Sequence, residues 1–153
     1  MSQLPVIGVP APAFSLPSTS GETVSLAELR GRKVLLAFFP LAFTGTCTAE
    51  VCSFSEDFPE FDKFDTRVIP ISVDSIPTLK EFQAKHGLKV DLCSDFKRTA
   101  SKAYGVLLEE HNFSARAYFL IDGDGVLRWV HVEKELGAKR DNAELISRIE
   151  ELG

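Results

Sequence analysis

An α/β fold is what this sequence predicts: a mixed central sheet with helices on both faces and an N-terminal extension. Three observations carry that expectation. "KVLLAFF", Lys33 to Phe39, is a continuous apolar run bounded by basic residues and a proline, the pattern of a strand buried on both faces. A helical pattern then leads to a second apolar run, "RVIPISVD", Arg67 to Asp74. Two strands joined through a long helix run parallel, and that crossover is right-handed. Further on, "RAYFLID" and "GVLRWVHV" flank "DGDG", which is hairpin turn chemistry and adds antiparallel strands to the sheet.

The segment up to about Gly31 carries several prolines and short alternating pieces, "AFSLPS" and "ETVSL", and reads as an irregular arm with one or two short strands. "SLAELRG" follows as a short helical turn, with Ser25 as N-cap, Glu28 at the capping-box position and Gly31 as the stop. From about Thr46, Val51, Phe54, Phe58, Phe61 and Phe64 recur at three- and four-residue steps and make one apolar helix face. Pro59 is expected to kink that helix or divide it. After Asp74, Ser75 can cap a helix that runs to His86, with Gly87 as its C-cap. "KVDLCSD" reads as a short extended piece and "RTASKAYGV" as a short helix. Asp141 to Leu152 is an amphipathic helix with Leu145, Ile149 and Leu152 on its apolar side. This order is the plan of a thioredoxin-like domain. It places Pro40 to Cys47 at the carboxyl end of the first buried strand, where open α/β sheets usually hold their chemistry.

With 153 residues the chain has the length of a single domain, spanning 1–153, and can bury a core without a staple. Its net charge of −5 leaves no basic stripe to neutralise a phosphate backbone, so nucleic acid is not an expected partner. No apolar run approaches membrane-spanning length, and "MSQLPVIGVPAPAF" lacks the basic and apolar regions of a secretory signal. No membrane partner is expected, and the expected compartment is the cytoplasm. Three cysteines in such a chain point to catalysis, redox chemistry or simple burial before a disulfide framework.

Two of them stand together in "PLAFTGTCTAEVC". Cys47 lies at a helix start, where unpaired backbone N–H groups and the helix dipole favour a negative charge; a thiol there is expected to be richer in thiolate, the nucleophilic form. Thr44 and Thr46 supply hydroxyls that can cap the helix or bond a substrate. Cys52 follows five residues on. In a helix the pair sits about 140° apart in rotation and roughly 7.5 Å apart in rise, giving a Cα separation of about 8–9 Å. That exceeds the ~7 Å limit for a disulfide. The two can bond only if the helix unwinds locally, which fits a cycle: Cys47 becomes a sulfenic acid, the first turns open, and Cys52 attacks it. Each cysteine also has an ordinary alternative, a small hydrophobe packed on a helix flank.

"PLAFTGTC" resembles the peroxiredoxin signature, a proline, a threonine and a peroxidatic cysteine at fixed spacing, here Pro40, Thr44 and Cys47. The resemblance extends over nearly the whole chain, through the arm, "VIPISVDS" and "RAYFLIDGDGVLRW". "FFPLAFTG" is most similar to the alkyl hydroperoxide reductase E branch, whereas "CTAEVC" resembles the bacterioferritin comigratory protein (peroxiredoxin Q) group, whose resolving cysteine lies five residues on. The resemblance implies an antioxidant thiol peroxidase acting on hydrogen peroxide and organic hydroperoxides with no cofactor. It implies Cys47 as peroxidatic and Cys52 as resolving cysteine, the two joined in a disulfide that thioredoxin or a similar dithiol reduces. Arg116 would hold the thiolate and bind peroxide, Thr44 would bond the peroxide, and Pro40 would shield the sulfur. Glu50 matches an acidic position that holds the arginine; a glutamate favoured by the helix dipole alone is its alternative. The resemblance allows a monomer or a homodimer.

Elsewhere the signals are weaker. Cys93 in "DLCSD" sits where a core aliphatic would fit, with an auxiliary thiol as the alternative. His86, His111 and His131 are scattered, and no His/Cys/Asp/Glu cluster has metal-ligand spacing, so no metal is expected. Trp129 and Tyr104 read as core or interface. Copper-delivery proteins on a thioredoxin-like scaffold also carry two close cysteines and a distant histidine; the four-residue gap and the Arg-led strand favour the peroxidase. A general disulfide reductase is disfavoured because C-x-x-C is absent.

Overall fold

A computed structural model describes residues 3–152. The arm forms a small hairpin, β1 (Ser15–Pro17) against β2 (Thr23–Ser25). The main sheet contains β3 (Lys33–Phe38), β4 (Thr66–Ser72), β5 (Cys93–Ser94), β8 (Ala117–Ile121) and β9 (Leu127–Val132) in the order β5-β4-β3-β8-β9. β3 pairs parallel with β4 and antiparallel with β8. Helices α1 (Gly45–Glu56) and α2 (Phe58–Lys63) cross from β3 to β4, and α3 (Ile76–His86) crosses from β4 to β5. α4 (Thr99–Ala103) and α5 (Asn142–Glu150) complete the chain. The expected mixed sheet with helices on both faces, a thioredoxin-like fold, is present.

Alternation along β3 explains its unbroken apolar run. Val34, Leu36 and Phe38 enter one core layer with Ile69, Ile71, Phe119 and Tyr104. Leu35 and Ala37 enter the other, with Val51, Phe54, Tyr118, Leu120, Leu145 and Ile149. Both faces are covered, so neither parity of residue can be polar. The central position of β3 brings its carboxyl end, and the turn after it, between β4 and β8.

Helix α3 matches its sequence signals closely. The Thr78 N–H donates to Ser75 Oγ, and Gly87 ends the helix at φ 58°, in the left-handed region. Ser75→Ala is expected to cost about 1 kcal/mol, lowering the thermal midpoint by about 2–4 °C in a calorimetric scan.

Three local expectations are corrected, at Ser25, at Phe58 and between α4 and β8. Ser25 makes no side-chain cap, and the turn after it is a 3₁₀ helix, Leu26–Leu29; the Leu26 N–H donates to the Phe14 carbonyl of the arm instead. As expected, the aromatic helix is divided; the break falls at Asp57, two residues before Pro59, which occupies the first turn of α2. That break turns Phe58 out to solvent, at 42% exposure, while Val51, Phe54 and Phe61 stay in the core. A short hairpin, β6 (Leu107–Leu108) with β7 (Phe113–Ser114), lies where no strand is expected. The "DGDG" turn forms as read: Asp122 Oδ1 accepts from the N–H groups of Asp124 and Val126, and Gly125 takes φ 81°.

Candidate active site

After β3 the chain passes through Pro40, which is buried, and turns at Phe43, which adopts φ 65°. A left-handed phenylalanine is costly and must be held by its surroundings. Two contacts hold it. The Ala42 N–H donates to Asp74 Oδ2 at 2.8 Å, and the Phe43 ring packs edge-on against Phe82. Asp74 is itself fixed: its Oδ2 accepts from Ser72 Oγ and its carbonyl from Ser94 Oγ. Sequence reasoning passes over Asp74, although a carboxylate just beyond β4 lies at the same sheet end as the cysteine turn.

The turn delivers the chain into α1 with Thr44 as N-cap by backbone; its carbonyl accepts from the Thr48 N–H at 2.9 Å. The threonine hydroxyls do not cap the helix, the first of the two roles open to them. Thr44 Oγ1 donates to the Leu41 carbonyl at 2.7 Å, and Thr46 Oγ1 donates to the Gly137 carbonyl at 3.4 Å. The first-turn N–H groups, at Gly45, Thr46 and Cys47, are left without a side-chain cap, and the dipole end stays open beside Cys47.

Arg116 comes to Cys47 from 69 residues away, on the residue before β8. Its Nη2 lies 3.2 Å from Cys47 Sγ and also donates to the Leu136 carbonyl at 3.0 Å. Its Nη1 donates to Glu50 Oε1 at 2.8 Å. Cys47, Glu50 and Arg116 are all but fully buried. Glu50 Oε2 accepts from the Tyr118 hydroxyl, a partner the sequence does not announce, since Tyr118 reads as one more apolar strand residue. Burial pushes the Glu50 carboxyl above its ordinary range, against the pull of Arg116, Tyr118 and Lys139. Burial works against the Arg116 charge, but Glu50 and Cys47 outweigh it and hold the guanidinium more firmly protonated than usual. Arg116 Nε is buried with no partner among the described residues.

Cys47, Glu50 and Arg116 therefore meet at one sheet end, and Pro40 and Thr44 lie on the turn that leads from β3 into α1. Cys52 stands on the same continuous helix as Cys47, half-buried, and all three cysteines are free. Burial, and then the Glu56 charge, raise the Cys52 thiol above its ordinary value. Cys93 stands apart. It packs in the core layer opposite to that of Cys47, and burial pushes its thiol up to about 12. Of the two readings open to it, the structure shows the burial that the packed residue requires. No group of three or more His, Cys, Asp and Glu that could hold a metal occurs among the described residues, and no helix among them is long and apolar enough to cross a membrane.

Comparison with known proteins identifies the family. The family model described as the AhpC/TSA family matches residues 7–130. The peroxiredoxin bcp of Coxiella burnetii is 37% identical over 127 residues, 79% of this chain and 84% of the relative. The alkyl hydroperoxide reductase E of Mycobacterium tuberculosis is 38% identical over 138 residues, 88% of this chain and 90% of the relative. Among solved structures, reduced 2-Cys peroxiredoxin from Plasmodium vivax superposes with a TM-score of 0.89 at 28% identity, covering 97% of this chain and 82% of that one. Relatives from both branches thus align along most of the chain, and the chain belongs to the AhpC/TSA family: it is a peroxiredoxin, a thiol-dependent peroxidase.

Proposed function

We propose that Cys47 is the peroxidatic cysteine and Cys52 the resolving one in an intramolecular cycle. The observation that carries this reading is the Arg116 guanidinium 3.2 Å from Cys47 Sγ in the first turn of α1. The helix dipole and the guanidinium both favour a thiolate there. The thiolate attacks one peroxide oxygen in line with the O–O bond. An S–O bond forms, the O–O bond breaks, and the leaving oxygen takes a proton to become water or an alcohol, with sulfenic acid left on Cys47. Arg116 Nε, buried and without a partner among the described residues, is a donor for the peroxide oxygens and for the charge that grows on the leaving one. Thr44 gives its proton to Leu41, which leaves its oxygen to accept from the peroxide O–H. Pro40 keeps bulk water from the sulfur.

Resolution needs motion. Five helical residues separate the two thiols by more than a disulfide allows, so the first turns of α1 unwind before Cys52 attacks. The S–S bond forms as water leaves, and an external dithiol, with thioredoxin as the type, returns both thiols. Substrates are hydrogen peroxide and organic hydroperoxides, in a cytoplasmic monomer or homodimer. A guanidinium at hydrogen-bond distance from the thiol opposes a bound metal cation, which tells against copper delivery.

Intact-mass analysis after one equivalent of peroxide tests the cycle. The wild type is expected to lose two hydrogens, and Cys52→Ser to gain one oxygen. Cys52→Ser should consume about one equivalent and then stall with thioredoxin as reductant. Full thioredoxin-driven turnover in that variant would show that Cys52 does not resolve.

A further inference from the structure

We propose that the Tyr118 hydroxyl is a positioning group of this site, holding Glu50 as the carboxylate that orients Arg116 on Cys47. The inference rests on the reading that Cys47 and Arg116 carry the reaction, and extends it to a residue two positions beyond Arg116 on β8.

The argument is one of hydrogen-bond supply. Glu50 is buried, and each of its oxygens has one donor: Arg116 Nη1 on Oε1 and the Tyr118 hydroxyl on Oε2. A phenol has a single proton to give. The Tyr118 oxygen also receives the Arg140 N–H at 2.9 Å, which directs that proton toward Glu50. Both carboxylate oxygens then act as acceptors, and a proton on Oε2 would meet a donor where it needs an acceptor. The arrangement favours the ionised form that burial opposes. Without the phenol, Oε2 would be buried and unpaired, and Glu50 would relieve this by taking up a proton or by rotating onto Arg116. Either change alters the hold on the guanidinium that touches Cys47.

The surrounding charges are few and mostly committed. From the segment before α5, Lys139 adds a positive charge near Glu50, and the Arg140 side chain pairs with Glu133 at 2.8 Å and Glu144 at 3.5 Å. His131, stacked on the Tyr118 ring, is paired with Glu133 at 3.0 Å. On α1 itself Cys47 reaches Glu50 only through Arg116. Arg116 and Tyr118 are thus the groups that donate directly to the carboxylate.

The test is the pH dependence of the second-order rate of Cys47 oxidation by hydrogen peroxide, measured in wild type, Tyr118→Phe, Glu50→Gln and the double variant. Falling pH protonates Glu50 and releases Arg116. Loss of the phenol makes protonation easier, so the acid limb of Tyr118→Phe should move to higher pH. Its rate at neutral pH should fall about tenfold, the scale of one lost hydrogen bond to a charged group. In the Glu50→Gln background the same change should have little further effect, because the carboxylate it serves is gone. Superposable profiles for Tyr118→Phe and wild type overturn the proposal, as does an equal slowing in both backgrounds with an unmoved limb.

Should Tyr118→Phe fold poorly, 3-fluorotyrosine at both tyrosines keeps the packing and strengthens the donor, so the acid limb should move to lower pH; an unmoved limb again overturns the proposal. Tyr104, the other tyrosine, gives its hydroxyl to the Pro12 carbonyl and lies in the opposite core layer. Persistent turnover in Cys47→Ser would instead defeat the underlying reading, whatever Tyr118→Phe does.

Discussion

Cys47→Ser is expected to abolish peroxide turnover, lowering the rate by roughly three orders of magnitude or more, the scale on which loss of a covalent nucleophile acts. The hydroxyl fits the space but not the chemistry: it stays protonated at neutral pH and cannot attack the O–O bond. Neither remaining cysteine is placed to substitute. Cys93 lies in the opposite core layer with its thiol pushed up to about 12. Burial and the Glu56 charge beside Cys52 oppose its thiolate. Stopped-flow peroxide consumption, with the variant's fold checked by circular dichroism, reads the outcome. Retained turnover would reassign the nucleophile.

Arg116→Met is expected to show two separable losses. Peroxide reactivity should fall by about 10²–10³, the effect of removing a preorganised donor from a developing charge. Stability should fall by about 3–5 kcal/mol, because Glu50 is left in the core without its cation. The second loss carries a pH signature. With Arg116 gone, burial acts on Glu50 with less opposition and its folded-state proton affinity rises further. The native state then binds more protons than the unfolded one, so stability falls as pH rises from the ordinary carboxylate range toward the raised folded value. Urea unfolding across that range measures the slope. Adding Glu50→Gln to Arg116→Met should restore most of the stability and none of the rate. Recovery of rate in the double variant would mean that Arg116 serves the fold and not the reaction.

Local signals were legible wherever they were answered locally. The apolar run of β3 could be read because both of its faces are covered, and the α3 caps because Ser75 and Gly87 act within one turn of themselves. Capping failed at Ser25, and of the two roles open to the Thr44 hydroxyl the cap did not form. In each place a backbone or hydroxyl group was taken by a partner outside the capping pattern, the Phe14 carbonyl in one case and the Leu41 carbonyl in the other. Phe58 misled for a related reason. A three- and four-residue step predicts one face only while the helix is continuous, and the break at Asp57 rotates the residues after it.

For this peroxiredoxin, sequence alone determined the order of the main-sheet strands and of the helices between them, the place of the cysteine turn at a strand's carboxyl end, and the spacing that keeps Cys47 and Cys52 apart in a wound helix. These follow from periodicity and rise per residue, which are properties of consecutive positions. Only the tertiary structure decided that Arg116 reaches Cys47, that Glu50 is a buried partner of Arg116 and not a solvated helix-end charge, that Tyr118 completes the pair, and that Cys93 faces the other way. Those contacts join residues more than sixty positions apart, and strand register in the sheet, which no local pattern encodes, sets which side chains meet.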